Sequence, residues 1–265
     1  MDLSIFTYSF DMKTLKKLGI DSPTLLCGTM NLDLDVSLNL KHFKQYKSKG
    51  FKPIPMLDVV HNVHHQGNEL IINKTTLKNV KKWCHKLAKI SDHIMLDLEP
   101  VREFQIPLYK EIRKQYPYRI TGCFGQTINK NILKYVDDSV YMFYDYSTDL
   151  NSYKRGIKEK LNDILNIKKP FGIGVPIASS FNEFEKLVNK QGDVVLRSPY
   201  KMKEYTEVCL KVLKSVKNNS LFKGITLWGL YDQAMERRYL YYYPYKIQFN
   251  LNLLLKKCGF MIKKI

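Results

Sequence analysis

The strongest constraint on this chain is an alternation. Eight short runs rich in β-branched and aromatic residues, at 3–9, 24–30, 51–60, 93–100, 119–125, 139–146, 170–178 and 224–232, punctuate the sequence. Between them lie stretches whose apolar residues recur every three or four positions, at 12–18, 39–48, 75–90, 108–115, 153–165 and 202–216. Strands separated by helices must pair in parallel, because a helical crossover returns the chain to the same edge of the sheet. Eight such repeats in 265 residues predict an α/β fold of the (β/α)8 TIM barrel type, with a doubly wound open sheet as the alternative. No Pro-rich or Gly/Ser-rich linker interrupts the chain, so a single domain over 1–265 is expected. The connection between the seventh and eighth runs is too short for a large insertion domain. Residues 239–265 read as an aromatic turn followed by a closing C-terminal segment.

Charge comes next, because it bears on partners. Lys and Arg number 43 against 25 Asp and Glu, a formal charge of +18. Such an excess favours anionic partners in general. The lysines are nevertheless spread over helical stretches such as "LKNVKKWCHKLAK", where they read as solvated outer faces, so nucleic-acid binding is not expected. Five cysteines, at 27, 84, 123, 209 and 258, are widely spaced without a C-x-x-C pair, which reads as free thiols. The start, "MDLSIFTYSFDMKTLKK", lacks the pattern of a secretory signal, and no apolar run reaches the roughly 20 residues of a membrane span. The expected location is the cytoplasm, or release by a non-classical or viral route, and the expected state is a monomer.

In an α/β barrel, reactive groups gather at the carboxyl ends of the strands. The run "IMLDLEP" carries two acids there, Asp97 and Glu99. In an extended chain Met95, Asp97 and Glu99 share one face while Ile94, Leu96 and Leu98 share the other. Two carboxylates pointing the same way must be solvated, bind a cation, or share a proton and do acid–base work. Other strand ends add polar and aromatic groups: Asp58 and His61 after the third run, Gln126 after the fifth, Tyr144 and Asp145 on the sixth, and Trp228 on the eighth. Position 7, at the end of the first run, is a further candidate substrate contact; Thr7 stands there with Tyr8 beside it, and the tyrosine supplies the aromatic group.

These residues resemble a known family. "DHIMLDLE" (92–99) is similar to the DxxDxDxE signature of glycoside hydrolase family 18, the chitinases and endo-β-N-acetylglucosaminidases, with Asp92, Asp97 and Glu99 matching and Met95 standing where the second aspartate belongs. "MFYD" (142–145) resembles that family's M-x-Y-D, and "GITLWGLYD" (224–232) its last-strand segment. The resemblance implies a retaining glycosidase that hydrolyses β-linked N-acetylglucosamine-containing glycans by substrate-assisted catalysis, without cofactor or metal. Glu99 would be the general acid and base. Asp97 would orient the acetamido group and stabilise the oxazolinium, and Tyr144 would hydrogen-bond the acetyl oxygen. Asp145, Trp228, Met142, Gln126 and the tyrosine beside position 7 would line the sugar site.

The departures carry expectations of their own. Met95 deprives Asp97 of a carboxylate partner, which implies weakened activity or a non-catalytic glycan-binding protein on the same scaffold. The third run reads "PIPMLDVV" instead of S-x-G-G, and Asp232 falls one residue later after Trp228 than the family's aspartate. Asp92, at the start of its run, reads as structural. The cluster "DVVHNVHHQ" offers Asp58, His61, His64 and His65 as a metal-dependent hydrolase alternative, although its spacing fits no metal motif and a polar groove lining reads better. Neither a phosphate loop nor a G-x-S-x-G nucleophile elbow is present.

Overall fold

The computed structural model describes residues 2–7, 12–59, 71–98, 105–125, 128–143, 149–177, 186–188, 194–196, 202–230 and 251–260. The chain divides into two compact units, one of Met1–Pro23 with Tyr141–Ile265, the other Thr24–Val140. The strand β7 (Asp138–Met142) carries the chain across that division.

The unit of residues 24–140 opens with β2 (Thr24–Met30), preceded in the chain by β1 (Asp2–Thr7) and α1 (Met12–Lys17) of the other unit. It continues through β3 (Val36–Leu38), α2 (Lys41–Ser48), β4 (Ile54–Val59), α3 (Lys74–Ala88), β5 (His93–Asp97), α4 (Ile106–Gln115), β6 (Arg119–Phe124) and α5 (Lys130–Leu133). Its strands lie in the order β3-β2-β4-β5-β6. The pairs β2–β4, β4–β5 and β5–β6 are parallel, and β3 alone runs antiparallel to β2. Helix α3 shows why the alternation was readable. Val80, Trp83, Cys84 and Leu87 are buried at helical spacing, while Lys78, Lys81, Lys82 and Lys86 are exposed. Its start is fixed by Asn73, whose side chain accepts from the N–H of Thr75 and Thr76 while Thr76 Oγ1 accepts from Asn73 N. Trp83 is buried and donates from Nε1 to Leu34 O at 3.1 Å, anchoring the helix to the β2–β3 turn.

Glycine has a packing role in β2. A Cβ on Gly28 would lie 2.6 Å from Val36 Cγ1 and 2.9 Å from Leu57 Cδ2, and the β2–β4 register shifts between Leu26 and Gly28. The missing side chain is what lets β3 fold over β2.

The other unit contributes β1, α1, the end of β7, α6 (Leu150–Ile167), β8 (Phe171–Pro176), β9 (Lys186–Val188), β10 (Val194–Leu196), α7 (Met202–Leu213), a 3-10 turn (Lys214–Val216), β11 (Phe222–Leu230) and α8 (Leu251–Lys257). Here β1 pairs with β11 and β11 with β8, both in parallel. Every residue of β8, "FGIGVP", is buried, as expected for a parallel strand covered on both faces. Asp149 caps α6 by accepting from Ser152 N at 2.7 Å; hydrogen bonding from the Ser152 side chain, and then from its N–H, holds the carboxyl below the usual range, and Lys168 ends the helix in the left-handed region at φ 57°. Tyr153 of α6 meets Tyr205 of α7 edge-on with ring centroids 5.0 Å apart. Lys257 of α8 lies 3.5 Å from Glu207 of α7.

The eight predicted strands correspond to β1, β2, β4, β5, β6, β7, β8 and β11, and each predicted helical stretch contains a helix. Three elements escaped the sequence reading: β3, the single turn α5, and the antiparallel β9–β10 hairpin within the connection between β8 and β11. All five cysteines are free and buried, and burial pushes the thiols of Cys27 and Cys209 up to about 12. Among the described residues no helix is long and apolar enough to cross a membrane.

Candidate functional site

The carboxyl ends of β4 and β5 are the part of the candidate site in fullest view. Both strands spell Met-Leu-Asp as they end, and the ladder aligns the tripeptides residue for residue: Met56 with Met95, Leu57 with Leu96, Asp58 with Asp97. Register partners in a parallel sheet sit side by side about 4.8 Å apart and point to the same face. Asp58 and Asp97 therefore form a neighbouring carboxyl pair, each half-buried, above Met56 and Met95, which are each 3% exposed. Asp58 Oδ1 accepts from Val59 N at 2.7 Å. Thr29 on β2 is the register partner of Asp58 on its other side.

The face that carries Asp97 continues to the start of β5 in a polar chain. His93 Nε2 lies 2.8 Å from Thr121 Oγ1, and the Thr121 hydroxyl donates to Asp138 Oδ1. Because that hydroxyl proton is committed to the carboxylate, Thr121 Oγ1 accepts from His93, which fixes the imidazole as its Nε2–H tautomer. Arg119 closes the chain with Nε 2.7 Å and Nη2 2.6 Å from Asp138 Oδ2. Burial, and then the Arg119 guanidinium, hold the His93 imidazole down at about 4, against the opposing pull of Asp138. His93 is thus neutral across the physiological range. This cluster lies at the amino ends of β5, β6 and β7, opposite to the end where Asp58 and Asp97 stand.

Asp92, read as structural, is exposed, and its carbonyl accepts from Arg119 N at 3.1 Å.

In the other unit, Met142 ends β7 and is 5% exposed. It packs at Gly174 of β8, where an added Cβ would meet Met142 Cα at 3.4 Å and Cγ at 3.6 Å. The next residue, Phe143, is buried and donates from its N–H to Gly174 O at 3.0 Å, while its carbonyl accepts from the Tyr153 hydroxyl. Both backbone polar groups of Phe143 are thus held immediately before the Tyr144–Asp145 pair. Trp228 belongs to β11, with its backbone in register with Phe6 of β1 and Pro176 of β8. Thr7 pairs with Leu230 after a register shift. Position 7 is therefore a threonine in β1, and the tyrosine expected for it, Tyr8, lies outside the described residues. So do Glu99, Gln126, Tyr144, Asp145, Asp232, His61, His64, His65 and the side chain of Trp228. Among the described residues no group of three His, Cys, Asp or Glu is placed to hold a metal ion.

Two features escaped the sequence reading. The pairing of Asp58 with Asp97 was signalled by the repeated Met-Leu-Asp tripeptide in successive strands. The His93–Thr121–Asp138–Arg119 chain had no such signal, because it joins polar residues near the starts of three strands, two of them on β6, with no local pattern.

No protein-family model and no curated protein sequence matches the chain. Among solved structures it is similar to the Group IV chitinase of Ostrinia furnacalis, with a TM-score of 0.59 and 12% identity over 86% of this chain and 92% of that one. The chitinase of Chromobacterium violaceum is similar with a TM-score of 0.56 and 9% identity, over 88% of this chain and 96% of that one. A GH113 β-1,4-mannanase aligns over 86% of this chain and 88% of its own, with a TM-score of 0.54 and 14% identity. At such identities the likeness defines the fold, and the chain has the α/β-barrel architecture of the (β/α)8 class that the alternation of strands and helices predicted.

Proposed function

We propose that this protein is a retaining glycosidase acting on β-linked N-acetylglucosamine in an oligo- or polysaccharide by substrate-assisted catalysis. The single observation that carries the reading is the position of Asp97, half-buried at the carboxyl end of β5 on the face it shares with Met95, two residues before Glu99. Further support comes from the fold shared with two chitinases and a mannanase. The hydrogen bonding of Phe143, the residue before Tyr144, adds to it.

In this mechanism Glu99 gives its proton to the glycosidic oxygen as the bond from that oxygen to the anomeric carbon breaks. The substrate's own acetamido oxygen attacks the anomeric carbon, giving an oxazolinium ion; this is the route in which no protein carboxylate becomes the nucleophile. Asp97 accepts a hydrogen bond from the acetamido N–H and stabilises the positive charge that forms there. Tyr144 donates to the acetyl oxygen and aligns it for attack. The ionised Glu99 then takes a proton from water, whose oxygen attacks the same carbon and restores the original configuration. Asp145 and Gln126 hydrogen-bond the sugar, Trp228 stacks under the ring, and Met142 with Tyr8 completes the apolar lining.

Hydrolysis of a fluorogenic chitotrioside tests the reading. Glu99→Gln is expected to lower kcat by about 10³-fold or more, and Asp97→Asn by about 10²-fold. Unchanged rates in both variants would remove these residues from the chemistry. A second reading is favoured by one observation, the buried thioether of Met95 where the family resemblance places an acid. On that reading the protein binds chito-oligosaccharides without turning them over, and wild type and Glu99→Gln bind equally with neither releasing product.

A further inference from the structure

Lysine is distributed unevenly over the helices. From residue 36 to residue 91 the sequence holds eleven lysines, no arginine, and only two acids, Asp58 and Glu69. Five of the lysines fall in 41–52, which includes α2, and six in 74–89, which includes α3; all eleven are exposed. Among the described residues none of the eleven is in an ion pair. The other long helices mix their signs: α4 carries Glu111, α6 carries Glu159 and Asp163, and α7 carries Glu207, which pairs with Lys211 at 2.9 Å. On α3, Lys74, Lys78, Lys82 and Lys86 follow one another at i, i+4 spacing, which costs helix stability because like charges repel. A face that needs only solvation gains nothing from such segregation.

The lysine face begins at the rim of the candidate site. Ile71 N donates to Leu32 O at 3.0 Å, Asn79 Nδ2 to Asp33 O at 3.0 Å and Trp83 Nε1 to Leu34 O at 3.1 Å. The first turns of α3 therefore rest on the turn that follows β2, on the side of the sheet where β4 and β5 end in Asp58 and Asp97. Its 15 residues run from there toward the amino ends of the strands. At that far end Lys47 of α2 donates from Nζ to Ile90 O at 3.1 Å, which brings the two lysine-bearing helices together. The aromatic residues of both, Phe43, Tyr46 and Trp83, are buried, and neither helix exposes an apolar side chain. Nucleic-acid bases would find no stacking platform there, and a bilayer no apolar wedge. Lysine ammoniums are compact, hydrated point charges on flexible stems, which suits a hydrated and flexible polyanion.

We propose that the face formed by α2 and α3 docks the substrate polymer, and that this polymer carries anionic groups along its length besides its N-acetylglucosamine. A glycan lying along α3 reaches the strand ends at the first turn of the helix, so the lysines hold the chain while its N-acetylglucosamine approaches Asp97. The substrate class named here rests on the glycosidase reading; the docking of an anionic glycan does not need catalysis.

The experiment titrates the full chain into fluorescently labelled carboxymethyl chitin, which is anionic, and glycol chitin, which is neutral, and reads anisotropy. Wild type is expected to bind carboxymethyl chitin about ten-fold or more tightly at about 50 mM salt and to lose that preference at about 500 mM, as exposed ionic contacts are screened. Lys78→Gln, Lys82→Gln and Lys86→Gln together should weaken binding of carboxymethyl chitin about ten-fold, whereas arginine at the same three positions should hold it within about two-fold. Lys154→Gln with Lys158→Gln on α6, exposed but next to Glu159, should change it by less than about two-fold, which separates the face from net charge. Equal affinity for the two polymers, or no weakening in the triple Gln variant, overturns the proposal. So does tighter binding of a short DNA duplex, or of vesicles containing phosphatidylserine, than of carboxymethyl chitin, since the face then serves a different anion. Lysine-dependent binding by a protein that cleaves neither carboxymethyl chitin nor chitotrioside upholds the docking surface and removes the glycosidase reading. Cleavage of chitotrioside without charge-dependent binding of the polymer does the reverse.

Discussion

Asp97 and His93 occupy the same face of one short strand and are asked to do opposite things. Asp97 stands at the carboxyl end, half-buried, beside Asp58. His93 stands at the amino end in a closed hydrogen-bond chain that reaches through Thr121 to Asp138 and Arg119. A histidine held neutral in the fold ties stability to pH, and the sign is definite. Above pH 6.5 the imidazole is neutral in both the folded and unfolded states, so its contribution is complete. As pH falls from 6.5 toward about 4, the unfolded chain binds a proton that the folded protein does not, and stability drains away. The loss from this one group is at most about 1.4 kcal/mol per pH unit. Urea midpoints measured at pH 7 and pH 5 should therefore fall more steeply in wild type than in His93→Gln. Equal slopes would mean that the imidazole takes up its proton in the folded protein as easily as in the unfolded one.

At the scale of elements, the parts easiest to read were those whose neighbours impose a period. Strand β8 is apolar on both faces because both are covered, and α3 shows a lysine face against a buried face because only one side packs. The Asn73 capping box was equally local, although the sequence reading placed the helix start by periodicity alone. What escaped were elements without a period of their own. Strand β3 is three residues long and owes its place to a glycine in the preceding strand, a relation no window of β3 contains. The β9–β10 hairpin is made of three-residue strands inside a long connection. Two substitutions separate these kinds of information. Gly28→Ala drives a methyl into Val36 and Leu57 and should cost about 1–3 kcal/mol, read as a lowered urea midpoint. Asn73→Ala removes the acceptor for two helix N–H groups and should cost about 1 kcal/mol by the same measurement. If Gly28→Ala proves neutral, β3 does not depend on the close approach that its backbone shows.

For the molecule as a whole, the alternation of strand and helix sufficed to predict an α/β barrel, because parallel pairing and helical crossovers leave few other arrangements for eight repeats. The acid at position 97 was legible for the same reason: a polar residue ending an apolar strand is conspicuous. Its companion at 58 was visible in the letters but not in the reading, since a sequence does not state which strand lies beside which, or in what register. The central claim, that the substrate's own acetamido group is the nucleophile, is tested most directly by following chitotetraose hydrolysis in real time by proton NMR. The account predicts that the new reducing end appears first as the β anomer and mutarotates later, with Glu99→Gln producing none; an α anomer formed first, or no cleavage by the wild-type protein, would contradict it.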